Sequence, residues 1–541
     1  MITTPIFYVN ASPHIGHTHS CILADAISRW YKMNDRETFF CTGTDEHGLK
    51  IQEASQKANK SSQEFCDALS LEFKDIFEKS ECDYDVFIRT TQEKHKRAVE
   101  YLWNRLQQKG YIYKSNYSGY YSISDECFIK KNQVKQVQQK DGSTKYFTES
   151  MQPVEWITEE NYMFKMKSFE EKMINFLKEN KNFIVPESRY NEVITFLEEG
   201  NLVDISISRL SQKLHWGIKV PNDPSHTIYV WFDALINYLT VTNFPENDFD
   251  EIWPADLHIL GKDILRFHAV FWPIFLMAAD LPLPKKICAH GIQIFSFFLQ
   301  LIFFYPYPFS AHWTIDKMKM SKSKGNVVDP RDLIEEYGVD VFRYFLLSES
   351  GLQDDTDFSH LRIRTRRNQE LGNNLGNLLK RSVSPSLNKN LEIPPFDPTQ
   401  LFEDEKEFIR EIEQTIHTVS KHYYSLDFRE GISCINQCFS SLNKMWNIHE
   451  PWKLIKKNDL TNEDHIRIQH ILYLTIHSIR ILSHLLLPIM PSKINFLLDL
   501  FQIPKEERNI QSLLQSLTCF SQPQSSIPLS TQFSDLILFP K

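Results

Sequence analysis

Two imidazoles flank a glycine in PHIGH, His14 and His17 about Gly16, where the apolar run ITTPIFYVN gives way to a helical pattern. A strand-to-helix turn already favours an anion, through its unpaired backbone N–H groups and the helix dipole. The imidazoles can add donors there, and Gly16 lets a flat nucleotide or a phosphate approach the backbone. A capped helix with surface histidines fits the same residues. Far downstream, KMSKS sets Lys319 and Lys322 among small hydroxyl residues, with Gly325 and Asn326 behind them. That pattern suits a loop closing on a triphosphate, or a solvated basic loop.

Two further groups could carry chemistry. In GKDILRFHAVFW, Ile264, His268 and Trp272 recur at the spacing of one helix face. An apolar side chain, an imidazole and an indole could wall a narrow pocket, or simply pack a helix. In LRIRTRRNQELGNNLGNLLKR, 361–381, six basic residues stand against one acid on an expected helix. Such a strip can face RNA or only water.

The elements that must position these residues follow from apolar periodicity. A buried strand, a helix opening near His14 and a second strand in TFFCTGTDEHG give a β–α rhythm, which predicts a doubly wound parallel (Rossmann-type) α/β sheet. The site is then expected at the carboxyl ends of the strands. The expected division is 1–110 for the first half of this domain, 111–204 for an inserted α+β domain and 205–310 for the second half. A linking region with the lysine loop, 311–365, and an all-helical domain, 366–541, complete it. Apolar spacing near 3.6 over 366–382, 404–456 and 463–500 predicts a helix bundle.

The 541 residues exceed what one core needs, and 42% apolar with 24% charged residues describes a soluble multidomain chain. A net charge of −9 argues against whole-surface binding of nucleic acid but leaves room for one basic face. The nine cysteines form no CxxC pair, which favours reduced thiols. Met1 runs straight into a strand-like segment with no signal or transit peptide before it, so the start is either genuine or clipped.

The two motifs, in this order around a parallel-sheet domain, make the chain resemble the class I aminoacyl-tRNA synthetases. The phrases TTPIFYVNASPHIGH, TGTDEHGLKIQEA, FIRTT, EENYMF, WGIKVP, YVWFDALINYLT, GKDILRFH, WPIFLMAA and KMSKSKGNVVDP narrow the resemblance to the methionyl-tRNA synthetase family. It runs from Ile2 to Pro491. The resemblance implies that His14, His17, Lys319 and Lys322 stabilise phosphates during catalysis. Gly16, Gly261, Asp263, Met320 and Ser321 join those lysines in holding ATP, supplied with Mg²⁺ as substrate. Asp45 is implied as the carboxylate for the substrate ammonium. A methionine slot is implied from Ile6, Tyr8, Val230, Trp231, Ala234, Leu235, Tyr238, Ile264, His268 and Trp272. Asn377, Arg381 and Trp452 match anticodon contacts on the helical domain, so tRNA(Met), L-methionine and ATP are the expected partners. Leu235 stands where relatives often carry proline. Cys127 is alone in the insertion, so neither a structural zinc nor another metal site is expected. The compact, mitochondrial-type pattern implies a monomer of the mitochondrial matrix, with the cytoplasm as the alternative compartment.

AHGIQIFSFFLQLIFFYPYPFSAHWT breaks the pattern. A spanning helix needs about 20 consecutive apolar residues, whereas this run holds glutamines and ends Tyr-Pro-Tyr-Pro, so no membrane segment is expected. Deleting Gly291 to Ser310 restores ICAHAHWTIDKMKMSKSKGN. We expect 291–310 to be a retained intron translated in frame, with a genuine apolar loop as the alternative. A tryptic peptide ICAHAHWTIDK supports splicing, and one containing SFFLQLIFFYP rejects it.

Overall fold

The apolar runs become strands β1 (Ile2–Tyr8), β2 (Phe40–Asp45), β3 (Val86–Arg89), β4 (Ile184–Val185), β5 (Leu257–Gly261) and β6 (Ile287–His290). They form one sheet in the order β3–β2–β1–β5–β6–β4, with every neighbouring pair parallel. Every residue of β2, β5 and β6 is buried, because a parallel sheet is covered on both faces and so reads as continuous apolar sequence. Gly43 in β2 is required by packing: a Cβ there would lie 2.0 Å from the Ile88 carbonyl oxygen of β3. The structure is a computed structural model. It describes residues 1–541 except 123–126, 130–133, 139–143, 149–152, 247, 291–312, 316–317, 320–327, 352–355, 534–535 and 541.

The chain winds outward from β1 to β3 on one side, then returns to build β5 and β6 on the other. Strand order therefore reverses between β1 and β5, and a crevice opens beyond their carboxyl ends. PHIGH follows β1 directly, and Lys262–Ile264 follows β5 as a single 3₁₀ turn.

The insertion carries an antiparallel sheet centred on Ile112–Ser122 and Pro153–Phe164, paired in register from Ile112–Phe164 to Ser122–Val154. Helices Glu170–Glu179 and Glu187–Glu198 follow. Between them Ile184 and Val185, inside the range expected for the insertion, pair with Ile287 and Cys288 as the edge strand of the parallel sheet. Two residues are too few for periodicity to reveal.

The helical half corrects the sequence reading in one place. Arg366–Gly376 is π-helical rather than α-helical, and α-helix resumes only over Asn377–Ser382. Leu371, Leu375, Leu378 and Leu379 recur at a spacing that either helix satisfies, so the pattern concealed the wider turns. The remaining predicted stretches resolve into Glu403–Tyr424, Phe428–His449, Asn462–Leu486 and Pro491–Leu500. The chain breaks at Leu426 and Glu450, both at positive φ (66° and 43°). Among the described residues no helix is long and apolar enough to cross a membrane. The run 291–310 lies outside the described residues.

One fully enclosed side chain joins the two halves. Arg343, on helix Val339–Glu349, donates to the Asp25 carboxylate at 2.5 Å and to the carbonyls of Ser80 (2.9 Å), Pro488 (3.0 Å) and Ile489 (2.9 Å). Asp25 belongs to helix α1 (Ile15–Met33), the helix that PHIGH opens.

Candidate active site

His14 is the N-cap of α1, and both histidines are buried rather than on the surface. The Gly16 N–H donates to His14 Nδ1 at 3.1 Å, and the His14 N–H donates to His17 Nδ1 at 3.1 Å. Each Nδ1 is thus an acceptor, which leaves the ring proton on Nε2 and fixes the tautomer of both rings. The rings stack with centroids 3.8 Å apart, and His17 meets the edge of Phe7 at 5.3 Å. The turn is therefore a capped helix whose two histidines are buried rather than on the surface. One turn along α1, Ser20 contacts His290 Nε2 at 2.9 Å, where β6 ends. Burial holds the His290 imidazole neutral, its pKa near about 3.

Asp45 ends β2 opposite Tyr8 of β1 and is buried. Asp263 is also buried, and the cap position of its turn is Gly261. Lys319 sits in a two-residue strand, Met318–Lys319, whose backbone pairs with Trp313–Ile315. Met320, Ser321 and Lys322 lie outside the described residues.

Ile264, His268 and Trp272 do not share one α-helical face. Phe267–Phe271 is a π-helical turn, and regular α-helix starts at Trp272. Wide turns of this kind recur where a helix must present side chains to a ligand. His268 donates from Nδ1 to the Ile264 carbonyl at 2.9 Å and accepts the Tyr238 hydroxyl on Nε2 at 2.7 Å. Burial keeps its pKa near about 4, so the ring is neutral at ordinary pH, and burial likewise pushes Tyr238 well up. Tyr238 and Trp272 lie 6.0 Å apart between centroids, and Trp231 stacks flat on Phe267 at 3.6 Å. Ile6, Trp231, Leu235, Tyr238, Ile264 and Trp272 belong to one apolar cluster, and Val230 and Ala234 are buried beside Trp231 and Leu235 on the helix Val230–Leu235. Tyr8 packs instead against the core that contains α1.

Half of the basic strip is neutralised within the molecule. Arg362 and Arg366 pair with Glu349, Arg364 with Glu336, and Arg366 also with Glu370. Near its end Arg381 lies over the Trp446 ring at 5.2 Å and donates to Asn443 and to the Asn377 carbonyl. Trp452 stacks near-parallel to Trp446, centroids 6.4 Å apart. Arg381 and Trp452 are therefore brought together on Trp446, a residue the sequence reading did not single out, with the Asn377 carbonyl held by Arg381.

A second group went unnoticed in the sequence. Asp233 Oδ2 bonds His47 Nδ1 at 2.6 Å, and Oδ1 bonds His95 Nε2 at 2.7 Å, all three being buried. Burial alone would raise the Asp233 pKa, but the two imidazoles outweigh it and hold the carboxyl at about 2. The available signal was an acid inside the apolar phrase YVWFDALINYLT, since a buried acid needs partners. Among the described residues no group of three or more His, Cys, Asp or Glu side chains could hold a metal ion.

A family model described as tRNA synthetases class I (M) matches residues 1–296 and 307–383, and its unmatched gap falls inside the apolar run. A Dictyostelium discoideum protein named probable methionine–tRNA ligase, mitochondrial, is 42% identical over 100% of this chain and 92% of its own length. The Homo sapiens mitochondrial methionine–tRNA ligase is 38% identical over 94% of this chain and 85% of its own. The crystal structure of Mycobacterium tuberculosis methionyl-tRNA synthetase bound by methionyl-adenylate superposes with a TM-score of 0.87 at 36% identity, covering 100% of this chain and 99% of that one.

Proposed function

The chain belongs to the class I tRNA synthetases (M), and from that premise we propose how its residues divide the work of joining methionine to tRNA. The enzyme activates methionine with ATP to methionyl-adenylate and passes the methionyl group to the 3′ end of tRNA. In the first step a carboxylate oxygen of methionine bonds to the α-phosphorus as the bond to the β-phosphate oxygen breaks and pyrophosphate leaves. In the second, a terminal ribose hydroxyl of tRNA attacks the acyl carbon and AMP leaves. Neither step needs a covalent enzyme intermediate, so positioning and charge stabilisation carry the rate.

The observation that carries this reading is the pair of fixed Nε2–H donors of His14 and His17, set at the switch point between β1 and β5. They face the phosphates of ATP, which enters with Mg²⁺, and Lys319 and Lys322 close on it from the opposite side with Met320 and Ser321. Gly16 and Gly261 let the nucleotide approach the backbone, and Asp263 takes its ribose. Asp45 holds the substrate ammonium. The slot around Tyr238, His268 and Trp272 takes a thioether that offers no strong hydrogen bond, so shape and sulfur–aromatic contact, about 0.3–1.5 kcal/mol, do the selecting. The neutral His268, locked between Tyr238 and the Ile264 carbonyl, suits an uncharged side chain.

Asn377, Arg381 and Trp452 read the anticodon by stacking and base-edge hydrogen bonds. The enzyme acts as a monomer in the mitochondrial matrix, with the five-part division of the chain given above, save that Ile184 and Val185 belong to the parallel sheet. Methionine-dependent ATP–pyrophosphate exchange tests the whole reading. Exchange is expected with methionine and to be lost in His17→Ala and Lys322→Ala. Exchange with leucine, or none with any amino acid, overturns it.

A further inference from the structure

The buried trio of Asp233, His47 and His95 touches neither ATP nor methionine in the scheme above, yet it ties together three segments that shape the amino-acid site: the loop after Asp45 and the helices Val230–Leu235 and Asn237–Thr240. Asp233 lies between Trp231 and Ala234 on the short helix Val230–Leu235. His47 stands two residues after Asp45, in the loop that leaves β2. His95, on helix Glu93–Gln108, holds Asp233 through Nε2 and contacts the Thr240 hydroxyl through Nδ1 at 2.9 Å. Thr240 closes the next short helix, Asn237–Thr240, which carries Tyr238. Asp233, within the first helix, and Thr240, at the end of the second, thus anchor the segment bearing Trp231, Ala234, Leu235 and Tyr238 at two points. The His47 contact ties that segment to the loop bearing Asp45.

A structural role alone accounts poorly for this arrangement. Packing the same space with apolar side chains is often as stable as a buried charge network, so stability alone does not require these ionic groups. Each Asp233 oxygen accepts one imidazole N–H at 2.6–2.7 Å, and those short charge-assisted bonds define separation and angle closely.

We infer that Asp233 is a positioning residue that sets the distance between the ammonium-holding carboxylate of Asp45 and the far wall of the side-chain slot, so that the trio measures amino-acid length. The inference rests on the proposed roles of Asp45 and the slot. A site with fixed ends rejects a substrate one methylene too long or one methyl too short, whereas a slackened one accepts both.

The test is ATP–pyrophosphate exchange on the full chain with methionine, ethionine and homocysteine. Asp233→Asn must turn an N–H toward one imidazole donor and so loses one of the two contacts. It is expected to raise the methionine KM about tenfold or more, to leave the ATP KM within about twofold, and to narrow discrimination against ethionine and homocysteine at least fivefold, within the roughly 10–200-fold that one methylene commands. His47→Leu is expected to behave alike. His47→Asn, which retains an N–H toward Asp233, is expected to recover most of that loss. Should Asp233→Asn fail to fold, the His47 pair carries the same comparison. Equal rises in both KM values, or a raised methionine KM with selectivity unchanged, overturn the inference. Asp45→Asn separates the two levels of the argument: a methionine KM that it does not move removes the site reading, and the length measurement with it.

Discussion

Replacing Arg343 by methionine removes the guanidinium enclosed where α1, the 80–81 turn and the 488–489 turn meet, while roughly preserving volume. Asp25 keeps Arg29 at 2.8 Å and the Asp83 N–H at 2.8 Å but loses the 2.5 Å bond from Arg343. The carbonyls of Ser80, Pro488 and Ile489 each lose a donor. Stripping one partner from a buried ion pair costs about 3–5 kcal/mol, and a buried acceptor left unpaired about 1–3 kcal/mol. These penalties overlap, because Arg29 and the backbone still satisfy part of Asp25, so the expected total is about 4 kcal/mol. That is roughly a thousandfold in the equilibrium between joined and parted halves. Urea unfolding, followed through the tryptophans, should show the first transition moved to lower urea by that amount. Asp25→Leu combined with Arg343→Met should cost less than the sum of the single changes, since the double variant buries no uncompensated charge. A loss below about 1 kcal/mol in Arg343→Met, or strict additivity, refutes the reasoning.

Three further outcomes follow from the same structure. Burial, with Glu81 nearby, raises the Asp340 carboxyl to about 6. The folded state therefore holds that proton more tightly than the unfolded chain, and stability falls as pH rises from about 4 to about 6, by roughly 2–3 kcal/mol. Asp340→Asn can still accept the Lys493 N–H and should be the more stable protein at pH 7.5 but not at pH 4, so an equal gain at both in denaturant titrations rejects the assignment. Tyr238→Phe leaves His268 Nε2 without its donor, and the cost of about 1–3 kcal/mol should appear as a roughly tenfold drop in kcat/KM for methionine with the ATP KM unchanged. Arg381→Ala should lower kcat/KM for tRNA at least tenfold in aminoacylation while pyrophosphate exchange stays at the parent level, and an equal loss in both assays would show its role to be structural.

The sheet was legible where its strands are buried on both faces: β1 and β2 read as apolar runs bounded by polar turns. PHIGH was legible because a strand and a helix flank it. The π-turns at 267–271 and 366–376 were not, because leucines and aromatics spaced three or four apart satisfy either helix. The Asp233 network was invisible for another reason. His47 and Asp233 are 186 residues apart, and only the tertiary fold brings them together. The strip at 361–381 was counted correctly as basic, but its neutralising acids, Glu336 and Glu349, sit on preceding helices that a local window does not include.

Ile184 and Val185 change what it would mean to miniaturise this enzyme. A shortened version that excised 111–204 as one block would strip β6 of its neighbour and leave the peptide groups of Ile287 and Cys288 bare along the rim. An uncovered rim recruits strands from other molecules, so such a truncation should precipitate before it could be assayed. Removing only the antiparallel sheet, and retaining the chain on either side of that two-residue strand, would keep the rim closed.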